Sequence, residues 1–349
     1  MKCKLAYLLL ITLLLIPSPS PSNWNLLGHE WAVQLLAGQL ARGRLRHAYL
    51  ITGPAGVGRR TLALALAQAI NCPSPLAPGI PCQTCRTCAQ IARQQHPDLT
   101  IVQAENVGGT LKVEQIRELQ RTLNLAPYQA KYRVAGLLRF EEAHVSAANA
   151  LLKTLEEPPP QVILLLTAES TDALLPTVTS RCEVLRLRPL APAVLAQGLT
   201  EKWQIPPEEA RILAHIADGL PGYAHYLHHH PEAMEQRQAW LDEHLHLLKN
   251  NRVARFQYAE KIAEDKATLR QALRTWTSLW NDVLHLHTGL AERVTNLDRA
   301  DPLTELAARV SLPTIRRALL SLDQALARLE RNVNTRMTVE ALWLDLPFL

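Results

Sequence analysis

The strongest chemical signal in the chain is a cluster of four cysteines, Cys72, Cys82, Cys85 and Cys88, in the pattern C-x9-C-x2-C-x2-C. Two-residue spacings let one tight turn present two sulfurs to one ion, and four thiolates close a tetrahedral shell around Zn(II). The spacer from Pro73 to Pro81 holds four prolines and a glycine, so it is read as a loop free to carry Cys72 back to the other three. Such a shell leaves no open position, which makes the expected zinc structural rather than catalytic. A pair of disulfides is the competing reading and would require an exported chain. His96, eight residues past Cys88, could stand in for one cysteine but is expected at the surface; Cys3 and Cys182 fall outside the cluster as ordinary thiols.

A second constellation is a phosphate-cradling loop stripped of its working parts. The apolar segment Ala48 to Thr52 runs into Gly53, Gly56 and Gly58, then Arg59, Arg60 and Thr61, and a helical stretch follows from Leu62 to Ile70. Strand, glycine-rich turn and helix N-terminus are the context in which backbone N–H groups and the helix dipole converge on an anion. Where the motif calls for lysine stands Arg59, a planar fork instead of a compact ammonium. Arg60 replaces the hydroxyl expected on magnesium and would repel the ion. Thr61 brings a hydroxyl one residue late, turned about 100° round the helix. The pattern argues against nucleotide binding by this loop and reads as a structural turn that packs strand against helix. The acidic half of the motif fails as well. A strand from Arg133 to Leu138 should run into Asp followed by Asp or Glu, to hold magnesium and orient water. It runs instead into Arg139, and Glu141 and Glu142 come later, where they read as helix-entry acids.

These groups need a frame. At 349 residues the chain is long enough for two or three domains. Hydrophobic residues at 48% and charged residues at 20% exclude a disordered or fibrous protein, and the wealth of Leu and Ala favours helix over strand. The net charge of +5 is spread along the chain, and the Arg42, Arg44, Arg46 run reads as solvated surface rather than a dedicated nucleic-acid face. Short apolar runs predict strands over 48–52, 100–103, 133–138, 161–167 and 184–187. The helix predicted over 112–125 carries Val113, Ile116, Leu119 and Leu123 on one stripe. This is an α/β domain with a mainly parallel sheet over 23–189, carrying the zinc module at 72–88. Past Pro189 only helical periodicity remains, over 193–203, 207–217 and 223–227 in a small unit spanning 190–232. An all-α domain follows over 233–349, with long helices over 254–286, with breaks, and over 312–332. His228, His229 and His230 read as a solvated helix terminus. Residues 1–22 form a hydrophobic leader, too short for a comfortable membrane span and lacking a well-formed cleavage site. They are read as a mis-assigned start, and the rest of the chain as cytoplasmic.

Beyond these readings the sequence resembles a known family. Asn149-Ala-Leu-Leu-Lys-Thr-Leu-Glu-Glu-Pro-Pro159 looks like the signature helix of bacterial clamp-loader subunits, the delta-prime and tau/gamma proteins of DNA polymerase III. The cysteine spacing, the degenerate phosphate loop, the stretch from Leu174 to Cys182 and the stretch from Asn332 to Leu342 fall in the family's order. The resemblance spans roughly 27–342. It implies an AAA+ core of the RecA-like P-loop type, then a helical lid and a helical collar for oligomerisation. It also implies a hetero-pentameric ring with tau/gamma and delta subunits, with ATP bound between neighbours, that places a sliding clamp on primed DNA within the DNA-directed DNA polymerase (nucleotidyltransferase) holoenzyme. In that family Ser180-Arg181-Cys182 supplies an arginine in trans to the neighbour's γ-phosphate. A guanidinium there stabilises charge spread over the transferring phosphoryl group. Thr167 falls at the sensor-1 position, and Tyr223, in the sequence Gly219-Leu-Pro-Gly222-Tyr223-Ala224, stands where an arginine would contact phosphate. The losses at Arg59, Arg60, Leu138, Arg139 and Tyr223 favour the delta-prime branch, a stator without hydrolysis of its own. The alternatives are an ATP-hydrolysing tau/gamma-like subunit and, in another class, an exported disulfide-bonded binding protein.

Overall fold

Five apolar segments form one parallel sheet: β1 (Ala48–Thr52), β2 (Leu99–Val102), β3 (Arg133–Leu137), β4 (Val162–Ala168) and β5 (Glu183–Arg186). Their order is β2-β3-β4-β1-β5, and every ladder is parallel. Each residue of β1, β3 and β4 is buried. That is why these strands read as continuous apolar runs: both faces are covered by helices and no alternation survives. The computed structural model describes residues 24–331 and 333–349. The hydrophobic leader and Cys3 lie outside the described residues. The strand predictions are met to within about two residues at each end, the usual uncertainty of element boundaries.

The chain divides into two compact units, one ending at Pro189 and one beginning at Leu190. In the first, α1 (Glu30–Ala41), α2 (Arg59–Asn71), α3 (Arg86–Ala92), α4 (Val113–Leu123), α5 (Val145–Glu156) and α6 (Pro176–Thr179) accompany the sheet. One apolar core joins Leu50, Leu137 and Leu164 on the strands to Ile116, Leu119 and Leu123 of α4 and Leu151 and Leu155 of α5. The α4 stripe is the predicted one. The signature segment lies in α5, which starts four residues before Asn149; the His144 side chain caps it by accepting from the Ser146 N–H, and Pro158 follows its end.

The second unit is wholly helical: α7 (Pro192–Trp203), α8 (Pro207–Ile216), α9 (Pro221–His229), α10 (Pro231–Leu248), α11 (Arg252–Ile262), α12 (Lys266–His287), α13 (Ala300–Arg309), α14 (Leu312–Glu330) and α15 (Thr335–Asp345). Its main core gathers Trp240, Trp276, Trp280 and Trp343 with Leu269, Leu273 and Leu322. Two polar side chains are buried in this aromatic core. His244 stacks on Trp276 at 4.9 Å and its Nε2 accepts from Trp280 Nε1 at 3.0 Å. Arg255, 1% exposed, forms no salt bridge with a carboxylate among the described residues. Its guanidinium donates to the carbonyls of Leu247, Leu248, Trp343, Leu346 and Pro347 and lies 3.6 Å from the centroid of the Phe348 ring. Several of these carbonyls end α10 and α15, where the helix dipole presents negative charge.

Candidate functional site

Parallel strands bring their carboxyl ends to one edge, the place where open α/β sheets bind ligands. β1 pairs with β4 through Thr52 and Ala168, so the glycine-rich turn after β1 lies beside the end of β4. Gly53, Gly56 and Gly58 all have positive φ, at 145°, 84° and 111°. A Cβ on Gly53 would stand 2.6 Å from the Leu187 carbonyl oxygen, so only glycine fits there. The cradle is thus intact in backbone, and the Val57 carbonyl is tied to His29 Nε2 at 2.8 Å.

The side chains around the cradle differ from the motif. Arg59, the first residue of α2, is nearly buried, and its Nη1 lies 3.7 Å from Glu141 Oε1. Burial lowers the Arg59 pKa against the pull of Glu141 and Glu169, and burial raises that of Glu141. Arg60 and Thr61 are exposed. Glu141 and Glu142 are not entry acids of the helix that follows. They form a 3-10 turn over Phe140–Glu142, which places Glu141 against the phosphate loop and Glu142 on Arg139 at 2.9 Å. Arg139 takes a left-handed backbone, φ 51°, and also donates to the Ala104 carbonyl at 3.2 Å. Its N–H donates to Thr167 Oγ1 at 3.0 Å, so the buried Thr167 hydroxyl joins the ends of β3 and β4.

Arg181 follows α6 on the surface. Its Nη2 meets Glu156 Oε1 at 2.5 Å and its Nη1 donates to the Thr177 carbonyl. Both side chains are about a third or more exposed, so water screens the pair and it opens at little cost. Arg181 shares a cleft with Arg42, Arg44 and Arg46, the exposed run. Cys182 beside it is a half-buried thiol whose pKa burial pushes up to about 12. In the second unit Tyr223 belongs to α9 and stacks on Tyr226. His228 ends the same helix against Glu209 at 2.7 Å.

The four cysteines meet. Sγ atoms of Cys72, Cys82, Cys85 and Cys88 all lie within 4.8 Å of one another and none is in a disulfide. Edges of a tetrahedral tetrathiolate shell measure about 3.8 Å when each metal–sulfur bond is about 2.3 Å, so the donor set fits such an ion. Backbone N–H groups of Cys82, Cys85 and Cys88 point at the sulfurs of Cys72, Cys82 and Cys85. The bond from the Cys85 N–H, with help from that of Thr84, lowers the Cys82 pKa to about 6, while burial raises that of Cys88. His96 is neither a ligand nor a surface residue. It is buried, and its Nδ1 accepts from the Asp98 N–H at 3.1 Å.

The family model described as "DNA polymerase III, delta subunit" matches residues 28–191. The DNA polymerase III subunit delta' of Bacillus subtilis is 30% identical over 319 residues, 90% of this chain and 94% of that one. The chain belongs to the DNA polymerase III delta-prime family. The delta' subunit of Pseudomonas aeruginosa is 33% identical, over 66% of this chain and 70% of its own. The tau subunit of Escherichia coli is 35% identical over 48% of this chain and 25% of its own, so tau is a relative of one part. Glu141, read from the sequence as a helix-entry acid, is the residue whose place beside Arg59 sequence reasoning missed. The available signal was an arginine gained in the loop together with an acid just past the strand where an acid was lost.

Proposed function

We propose that this chain is the nucleotide-silent stator of a clamp loader, in a ring with tau/gamma and delta subunits that places a sliding clamp on primed DNA. The observation that carries the reading is a division of labour between two arginines. Arg59 sits where a P-loop lysine would and is buried against Glu141, whereas Arg181 is at the surface in a breakable pair. The first opposes hydrolysis in cis. The second is free to leave Glu156 and stabilise phosphoryl charge on a neighbour's ATP. Zinc is the metal that suits four thiolates in a closed tetrahedral shell, and here it would fix the loop between α2 and α3. Residues 190–232 act as a lid and 233–349 as the collar.

The test is steady-state ATP hydrolysis by the purified chain and by a loader reconstituted with wild type, Arg181→Ala or Arg181→Lys. The expected result is no turnover by the chain alone. With Arg181→Ala, turnover at the one neighbouring site falls by on the order of 10³-fold, with poor rescue by lysine. Hydrolysis by the isolated chain, or an unchanged loader with Arg181→Ala, would sink the proposal.

A further inference from the structure

α9 ends in a cluster of imidazoles that the stator reading does not use. His225 and His229 stand four residues apart and so share one face of the helix, with their ring centres 4.1 Å apart and the planes 26° from parallel. The His229 Nδ1 lies 2.9 Å from the His225 carbonyl oxygen. A carbonyl only accepts, so this Nδ1 carries the proton and the lone pair of the neutral ring is on Nε2. Tying one ring nitrogen to a carbonyl is how proteins orient a metal-ligating histidine and raise its basicity. His225 is half-buried, at a steep angle to Trp203 with ring centres 4.7 Å apart, and its ring nitrogens have no hydrogen-bond partner among the described residues. Two imidazoles on one ion, at about 2.1 Å each, keep their ring centres within about 5 Å, so the pair needs only to splay slightly. His228 and His230 are engaged elsewhere, their Nδ1 atoms on Glu209 and Glu232 at 2.7 and 2.9 Å. No third protein donor closes a shell around the pair, because among the described residues only the four cysteines gather three or more ligand atoms.

We propose that His225 and His229 form a two-point chelate for a borderline divalent transition-metal ion, Zn(II) in the first place, on the face of α9 near its C-terminus. Two histidines at this spacing on one helical face are the arrangement that zinc-binding helices use. Imidazole suits such ions, whereas Mg(II) and Ca(II) prefer oxygen ligands. The ion's remaining positions stay open to water, which sets this site apart from the closed thiolate shell at 72–88. The inference stands independently of the stator reading, since it uses neither the phosphate loop nor Arg181.

The experiment is calorimetric titration of the full chain with Zn(II), carried past the equivalent taken by the four cysteines, with Mg(II) for comparison. The proteins are wild type, His225→Ala, His229→Ala and His230→Ala, each checked for folding by circular dichroism. Wild type is expected to take a second, weaker zinc equivalent and no magnesium. Either His225→Ala or His229→Ala should lower the affinity of that equivalent by on the order of 10²-fold, because the chelating second ring is lost, while His230→Ala leaves it unchanged. Nitrogen NMR of the wild-type histidine rings should show zinc shifting His229 Nε2 with Nδ1 still protonated. The proposal is overturned if wild type stops at the cysteine equivalent, or if the second site is weaker than about 1 mM, which marks adventitious surface binding. It is equally overturned if the second equivalent survives both pair variants, falls as far with His230→Ala, or is matched by magnesium. A histidine-dependent equivalent without the first one would support this site and count against the cysteine site alone.

Discussion

Cys82 and Cys88 show how one residue type divides between exposure and burial within a single cluster. Cys88 is fully buried on α3 and burial raises its pKa, whereas Cys82 is partly exposed in the loop before it, where the N–H of Cys85 bonds to its sulfur and favours the thiolate. Replacing Cys88 by serine is expected to abolish stoichiometric zinc, measured by atomic emission. It should also destabilise the first unit by more than about 2 kcal/mol, because a structural metal contributes its binding energy to folding. Full zinc retention by Cys88→Ser would remove the cluster as the site. The cluster was legible because its spacing is local: seventeen residues with turns built in. His96 was misread for the opposite reason. Its burial depends on Asp98, whose carboxylate accepts from the N–H groups of Tyr128, Gln129 and Ala130, some thirty residues on.

Among the helices, α10, α12 and α15 close around His244, and the pH response of the second unit is argued there. Burial, aided by the nearby Arg255 cation, lowers the His244 pKa to about 3, so it is neutral in the folded chain. Its unfolded value is near 6.5. Between those limits the unfolded state binds the extra proton, so stability is complete above about pH 6.5 and falls as pH drops toward 3. The loss is on the order of 5 kcal/mol across that whole window. Denaturant unfolding followed by tryptophan fluorescence at pH 7 and pH 4.5 should show it, and His244→Gln should flatten the difference. Equal slopes for the two proteins would refute the assignment. The helices themselves were readable from periodicity, since apolar stripes repeat every turn. That a histidine and an arginine sit inside the aromatic core was not, because in sequence both stand among ordinary surface residues and only packing from distant helices buries them. The same holds for Glu141, which reaches Arg59 across 82 residues of chain.

At the scale of the whole molecule, the two units have separate cores, one built from residues of 48–178 and the other from residues of 240–346. Fragments 24–189 and 190–349 are therefore expected to unfold cooperatively when expressed alone. Chelation by EDTA should lower the melting temperature of the first only. A first fragment that melts identically with and without chelator would contradict this, as would a second that shows no cooperative transition by calorimetry. The division between sheet and helical region was visible in the sequence because strand-like apolar runs stop at Pro189. The parallel sheet has a further consequence for how such a chain can change over time. β1, β3 and β4 are buried along their full length, while Arg59, Arg139 and Arg181 all lie beyond strand ends. Apart from Thr167 near the end of β4, the residues that would decide catalysis thus contribute little to the sheet. Substitutions at these positions would leave the strand interiors untouched. A descendant would then be traceable through its strand interiors long after its phosphate-loop motif had become unrecognisable.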